Sequence, residues 1–343
     1  MPVSIKDIAR EAGVSPSTVS RALNDHPQIS TATKVHIQDL ANEMGYVPSI
    51  AARSLVNRRS ATIGVAITDL MDPYYARLMS GIEDGAAAHS YQVILSSYYR
   101  DPARELEIVL DFHKRRMEGI IITGSEVEEV YLSPENKFFM PIVLVNRPGY
   151  PYSVSVDRFL GAKMVVEHLV DLGHGRIAHI TEGPKYRAKS KRFNGYRAAL
   201  TDHNIPVDED LIVDGDGNIS GGIRAVPRLL DLPQPPTAIF CFNDMTAIGV
   251  INALRQRGYE VPRDISVAGY DDLEMASYYH PALTTVRQPT YRIGQSAVEM
   301  LLKLIVGAEM VVKEIVEPDL MIRTSTAPLN DSIVRRLSPG ISL

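Results

Sequence analysis

The chain is 343 residues long, 45% hydrophobic and 22% charged, which provides for roughly two packed units and excludes wholesale disorder or a collagen-like architecture. Its net charge of -5 is uneven: residues 1–60 carry seven Lys/Arg against five Asp/Glu and the remainder 29 against 36, so only the N-terminal segment suits a polyanion. A single cysteine, Cys241, excludes an internal disulfide and a Cys-based zinc site, and no apolar run reaches membrane-span length.

With charges in MPVSIKDIAREAG where a signal peptide has its apolar core, the expectation is a cytoplasmic protein without membrane contact. Ser4 stands before an apolar pattern at Ile5, Ile8, Ala9 and Ala12, with Asp7 three residues on, the signature of a capping box. The first helix runs to about Ala12, Gly13 supplies a turn, and Ser15-Pro16 reads as N-cap and first helical residue of a second helix over about 16–24. Val19, Ala22 and Leu23 make its apolar side, leaving Ser17, Ser20 and Arg21 on a face free to touch something else. Ser30 opens a third helix with an apolar stripe at Ile37, Leu40, Ala41 and Met44, stopped by Gly45. Residues 1–46 therefore form an all-α helix-turn-helix headpiece. Residues 47–60, from Pro48 to Arg59, hold good helix formers but too few apolar groups to pack alone, and read as a hinge helix and linker that folds against a partner.

From Thr62 short apolar runs alternate with amphipathic stretches: TIGVAI at 62–67, QVILSS at 92–97, GIIITG at 119–124 and PIVLVN at 141–146, then RIAHIT at 176–181, LIVDG at 211–215, AIFCFN at 238–243 and SVAGY at 266–270. These predict buried parallel strands between helices, and two doubly wound α/β lobes fit the length better than one large sheet. The two-lobe unit spans 61–329, with lobe 1 over about 61–172 plus 290–317, lobe 2 over about 173–287 plus 318–329, and a tail at 330–343 without heptads. Ligands of such folds gather at the carboxyl ends of strands, here the cleft between the lobes.

The string IKDIAREAGVSPSTVSRALN and the following YVPSIAARSL resemble the headpiece and hinge of the lactose/galactose repressor (LacI/GalR) family. The resemblance continues through VEHLVDLGH, RFNGYRAAL, FNDMTAIG, DISVAGYDD and LTTVRQP, in the family's order and spacing. It implies lobes of periplasmic-binding-protein type and a homodimer on a partly palindromic operator, controlled by a small effector, a sugar or sugar derivative. It further implies base-facing positions at Pro16, Ser17 and Arg21, where Arg can read guanine O6 and N7 bidentately. Ser4, Ser15, Thr18, Ser20 and Asn24 become phosphate contacts or caps, and Leu55 a wedge into the minor groove with Arg53, Arg58 and Arg59 near phosphates.

The family's effector ligands fall on Arg192, Asn243, Asp271 and Gln288, and the loop from Thr68 to Tyr75 adds Asp72 and Tyr74. An Arg fork and a carboxylate can each bind a pair of hydroxyls; the plainer alternative is that Asp271 caps a strand end or pairs with Arg192. Two departures matter: Gly215-Asp216-Gly217-Asn218 has glycine where many members have a stacking aromatic, and Arg187 and Lys189 add charge that reads either as a solvated loop or as recognition of an acidic ligand. Catalysis, a metal and a cofactor are not expected: Cys241 sits in an apolar run, His174 reads as a packing residue, and GDGNISG is a turn without phosphate-loop spacing. The competing readings are a two-lobe solute receptor, disfavoured by the headpiece, and a sugar-modifying enzyme, disfavoured by the lack of an acid/base pair in recognisable context.

Overall fold

The computed structural model describes residues 3–46, 60–133, 138, 140–187, 190–308 and 312–329, in two compact units, 1–61 and 62–343. The first unit holds α1 (Ile5–Glu11), α2 (Pro16–Leu23) and α3 (Thr31–Glu43). Ile8, Ala9, Val19, Ala22, Ile37 and Ala41 form its core, so each helix contributes the apolar face that its spacing predicts. The caps are as expected from the serines: the Asp7 carboxylate accepts from the Ser4 N–H at 3.1 Å and hydroxyl at 2.6 Å, while Ser15 accepts from the Thr18 N–H and Ser30 from the Thr33 N–H. Gly13 and Gly45 turn the chain at φ +64° and +67°, a region that a side chain rarely adopts. The hinge positions Leu55, Arg53, Arg58 and Arg59 lie outside the described residues.

The second unit begins β1 (Thr62–Ile67), α4 (Tyr74–Ala88), β2 (Gln92–Ser97), α5 (Pro102–Lys114), β3 (Gly119–Thr123), α6 (Glu128–Leu132), β4 (Ile142–Val145) and β5 (Tyr152–Val156). It continues with α7 (Arg158–Asp171), β6 (Ile177–Thr181), α8 (Pro184–Arg187), α9 (Lys191–Asp202), β7 (Ile212–Asp214), α10 (Ile219–Leu230), β8 (Ala238–Cys241), α11 (Asp244–Gln256) and β9 (Ser266–Ala268). Last come α12 (Glu274–Tyr278), β10 (Thr285–Arg287), α13 (Thr290–Ile305), β11 (Val312–Val316) and β12 (Asp319–Met321).

The strands form two parallel sheets, β11-β5-β4-β3-β1-β2 and β7-β6-β8-β9, with β10 and β12 as an antiparallel pair. The chain passes from the first lobe to the second after β5, back after β10, and across again between β11 and β12. Three differences from the sequence reading have physical causes. β5, YSVSV, is absent from the predicted strands because serines interrupt its apolar run; both serines are buried, and Ser153 Oγ donates to the Tyr150 carbonyl. β2 is an edge strand rather than a buried one, with Ile94 and Leu95 exposed. α7, placed with lobe 1 in the sequence reading, packs Ala162, Val165, Val166 and Leu169 into the core of the second sheet, so the lobes change at Asp157 and not near residue 172.

α4 and α13 cross over the first sheet at two glycines. A Cβ on Gly81 would lie 2.1 Å from the Tyr291 carbonyl oxygen, and one on Gly294 would lie 2.4 Å from that of Leu78. Gly81→Ala should therefore lower the stability of the second unit by about 1–3 kcal/mol, the usual scale of overpacking. Urea unfolding measures this, and an unchanged midpoint would mean that the two helices separate freely.

Candidate functional site

In both lobes the strands end facing one cleft, and the polar residues gather on the turns that follow them. Asp72 and Tyr74 follow β1, Arg100 follows β2 and Asn146 follows β4; from the second sheet come Glu182 after β6, Phe242 after β8, and Tyr270 and Asp271 after β9. Non-glycine residues hold positive φ at Arg100 (+56°), Asn146 (+64°), Asp271 (+119°) and Asp272 (+53°). Such backbone costs roughly 1–3 kcal/mol per residue and persists where surrounding contacts enforce it. At Asp271 those contacts are its N–H on the Val286 carbonyl and the neighbouring Asp272 carboxylate gripped by Arg287 and Arg323.

Arg192, in the first turn of α9, is the centre of the cleft floor and is 5% exposed. Its Nη1 donates to the Phe242 carbonyl at 2.5 Å and Nη2 to Asp271 Oδ1 at 3.0 Å, while its guanidinium lies 3.9 Å over the Tyr270 ring and 4.4 Å over that of Phe242. Gln288 Nε2 donates to the same Asp271 oxygen at 2.6 Å. Burial pushes the Asp271 carboxyl up to about 6; Arg192 opposes the rise and Asp72 adds to it. Asp72 is likewise raised by burial, and its Oδ1 accepts the Tyr74 N–H at 3.0 Å. The Tyr74 hydroxyl, also raised by burial, accepts from Asn146 Nδ2 at 2.9 Å.

The structure thus brings together Asp72, Tyr74, Arg192, Asp271 and Gln288. Arg192 and Asp271 also pair with each other, the plainer alternative weighed from the sequence, and both remain in the cleft while doing so. Asn243 is turned elsewhere: its Oδ1 caps α11 by accepting from the Thr246 N–H and hydroxyl, and its Nδ2 donates to the Gly217 carbonyl. The glycines at 215–217 leave space that the Phe242 ring approaches, 3.7 Å from where a Gly217 Cβ would stand. Arg187 is held by Asp214 at 2.6 Å, and Lys189 lies outside the described residues. His174 bonds the Thr237 hydroxyl and the Ala327 carbonyl and so pins the late strand segment.

Sequence reasoning missed Arg158, Tyr270 and Phe242, and the ion pairs Arg100–Glu182 and Lys185–Glu126 that link the two lobes at the rim. Each follows directly on a strand end or opens the next helix. The signal was the strand boundary itself, read two residues further.

In the first unit α2 presents Ser17 and Arg21 to solvent, with Ser20 half-buried. The hydroxyls of Ser15, Ser17 and Thr18 cluster within 2.8 Å at its N-terminus, and Asn24 caps its end by donating to the Ser20 carbonyl. Among the described residues the ion pairs of this unit are Arg10–Asp7 and Lys34–Asp25, which leave Arg21 unclaimed.

Residues 4–49 match the model of bacterial regulatory proteins of the lacI family, and residues 166–326 match a periplasmic binding protein-like domain. Catabolite control protein A of Priestia megaterium is 36% identical over 309 residues, covering 88% of this chain and 92% of that protein. The Lac repressor dimer bound to operator and the anti-inducer ONPF superposes with a TM-score of 0.87 at 30% identity, over 95% of this chain and 100% of that one. A LacI family regulator from Enterococcus faecium with bound ribose gives a TM-score of 0.68 at 29% identity, over 78% and 100%.

The raised carboxyl of Asp271 makes a pH-dependent contribution. A carboxyl whose folded value lies above its unfolded one stabilises the protein below about pH 4 and loses that contribution as pH rises through about 6. The stability of the parent chain relative to Asp271→Asn should fall across that window, on the order of 1 kcal/mol or more. Chemical denaturation of both proteins from pH 4 to 7 measures it, and a constant difference would place Asp271 in the ordinary carboxylate range.

Proposed function

The chain belongs to the lacI family of bacterial regulatory proteins, and from that premise we propose that it is a repressor that binds a partly palindromic operator as a homodimer. Its affinity is set by a small polar effector, a sugar or sugar derivative, held between the lobes. The observation that carries this reading is the convergence of Arg192, Asp271, Gln288, Asp72 and Tyr74 on one cleft, in a chain that begins with a helix-turn-helix unit. Fork and carboxylate chemistry of this kind suits vicinal hydroxyls. The ribose in one structural relative and the operator and anti-inducer in another support the same assignment.

In this reading α2 enters the major groove with Pro16, Ser17 and Arg21 toward the bases. Ser4, Ser15, Thr18, Ser20 and Asn24 order the backbone and face phosphates, and Leu55 wedges the minor groove. The second copy covers the open edge of β2, where Ile94, Leu95 and Tyr99 are exposed. Effector acts by its differential affinity for two lobe arrangements, which is the free energy available to alter operator binding in the cytoplasm. The protein works as a regulator without catalysing a reaction.

Gel-shift titration with genomic fragments tests the DNA assignment. Arg21→Ala should weaken binding to the preferred fragment by about 1–3 kcal/mol and relax preference at one base pair per half-site. An equal loss on preferred and random DNA would reduce Arg21 to a phosphate contact, and the absence of any preferred fragment would remove the operator reading.

A further inference from the structure

The basic side chains around the cleft are mostly claimed by acids. Arg192 is held by Asp271, Arg100 by Glu182 and Lys185 by Glu126. Farther out Arg187 is held by Asp214, and Arg147 faces Glu128 at 3.8 Å. Arg158 differs. It is the first residue of α7, half-buried, and its Nε is shut off from solvent with no acceptor among the described residues.

The groups around Arg158 do not neutralise it. Tyr74, Tyr75 and Tyr270 lie within electrostatic reach of the guanidinium, and burial holds each of their hydroxyls above the ordinary tyrosine value, so all three stay uncharged. Glu182 is within electrostatic reach but is engaged by Arg100, and Asp271 is shared between Arg192 and Gln288. A charge taken out of water is costly unless it is paired and hydrogen-bonded.

Arg158 is accompanied by other unused polar atoms of the same cleft. The Tyr270 hydroxyl, Gln288 Oε1 and Arg192 Nε are buried and also lack a hydrogen-bond partner among the described residues. The set comprises two guanidinium donors, a hydroxyl and an amide acceptor, with the Asp72 and Asp271 carboxylates close enough to influence one another. It matches a ligand with several hydroxyls and one anionic group.

We propose that the cleft takes an anionic polyol, a carbohydrate bearing a carboxylate or a phosphate, with the charged group on Arg158 and hydroxyls on Asp72, Asp271 and Gln288. The proposal rests on the reading of the cleft as the effector site and narrows it. A planar guanidinium fork fits either oxyanion bidentately, so the shared chemistry is the oxyanion. The sequence leaves Arg187 and Lys189 open between a solvated loop and recognition of an acidic ligand; Arg187 is bound to Asp214, whereas Arg158 is within electrostatic reach of the cleft residues Tyr74 and Tyr270.

Titration calorimetry on the full chain, at constant ionic strength in chloride, would use glucose, galactose and ribose with their carboxylated and phosphorylated forms. At least one charged form should bind about tenfold or more tightly than its neutral parent, the equivalent of one charge-assisted hydrogen-bonded contact. Which charged form binds distinguishes carboxylate from phosphate. Arg158→Gln should abolish the preference while retaining the parent melting midpoint or exceeding it, and Arg158→Lys should keep part of it. Neutral sugars that bind as tightly as the charged forms, or a preference that survives in Arg158→Gln, would overturn the proposal, as would failure of every charged form to bind. Neutral sugars that bind as tightly as their charged forms, with that binding lost in Arg192→Ala, would leave the effector reading intact while refuting this one.

Discussion

A guanidinium buried at the end of a parallel sheet draws partners from several elements at once, and in the second lobe Arg192 does so while its Nε stays without one among the described residues. Its two amino groups are met by a carbonyl at the end of β8 and a carboxylate beyond β9, and its faces by Phe242 and Tyr270. Three elements that are distant in sequence are thereby held in one relative position. The positive φ of Asp271 belongs to the same constraint, because its carboxylate must turn back toward Arg192 while its backbone pairs with Val286. An ion pair of this kind is weak evidence for stability, since desolvation offsets much of the attraction, and it is better regarded as fixing geometry.

The rim is built differently from the floor. Arg100–Glu182 and Lys185–Glu126 join the lobes through side chains that keep contact with water, with the two cations 40% and 64% exposed. Pairs in that setting contribute about 0–1 kcal/mol and are screened by salt. The floor is thus held by buried contacts while the rim rests on weak, water-exposed pairs, a distribution that suits the role proposed for the cleft.

Much of this was legible in the sequence because it is written in local chemistry. The serine caps, the glycine turns and the two apolar periods locate α1, α2, α3 and most strands of both sheets to within a residue or two, and the matched blocks bring five cleft residues to one place. What escaped detection depends on tertiary context. β5 alternates serine with valine and looks like a loop until its neighbours bury it, whereas β2 is as apolar as an interior strand and lies at the edge. Asn243, a strong N-cap type, caps α11 and bonds the Gly217 carbonyl, contacts that only the tertiary structure reveals. Arg158 lies in none of the matched blocks and Tyr270 lies in one, DISVAGYDD, that assigns it no role; only the meeting of two sheets brings both to the cleft.

The three passages between the lobes act together as parallel tethers. A single link would leave the lobes free to translate and twist about each other, but three side by side remove nearly all displacement except rotation about an axis through them. Arg158 follows the first tether and Gln288 lies in the second. The groups proposed to hold a ligand therefore sit almost on the pivot, whereas the far edges of the sheets have a long lever arm. A small rotation at the tethers is therefore amplified with distance from them, most of all at the outer edges of the two sheets.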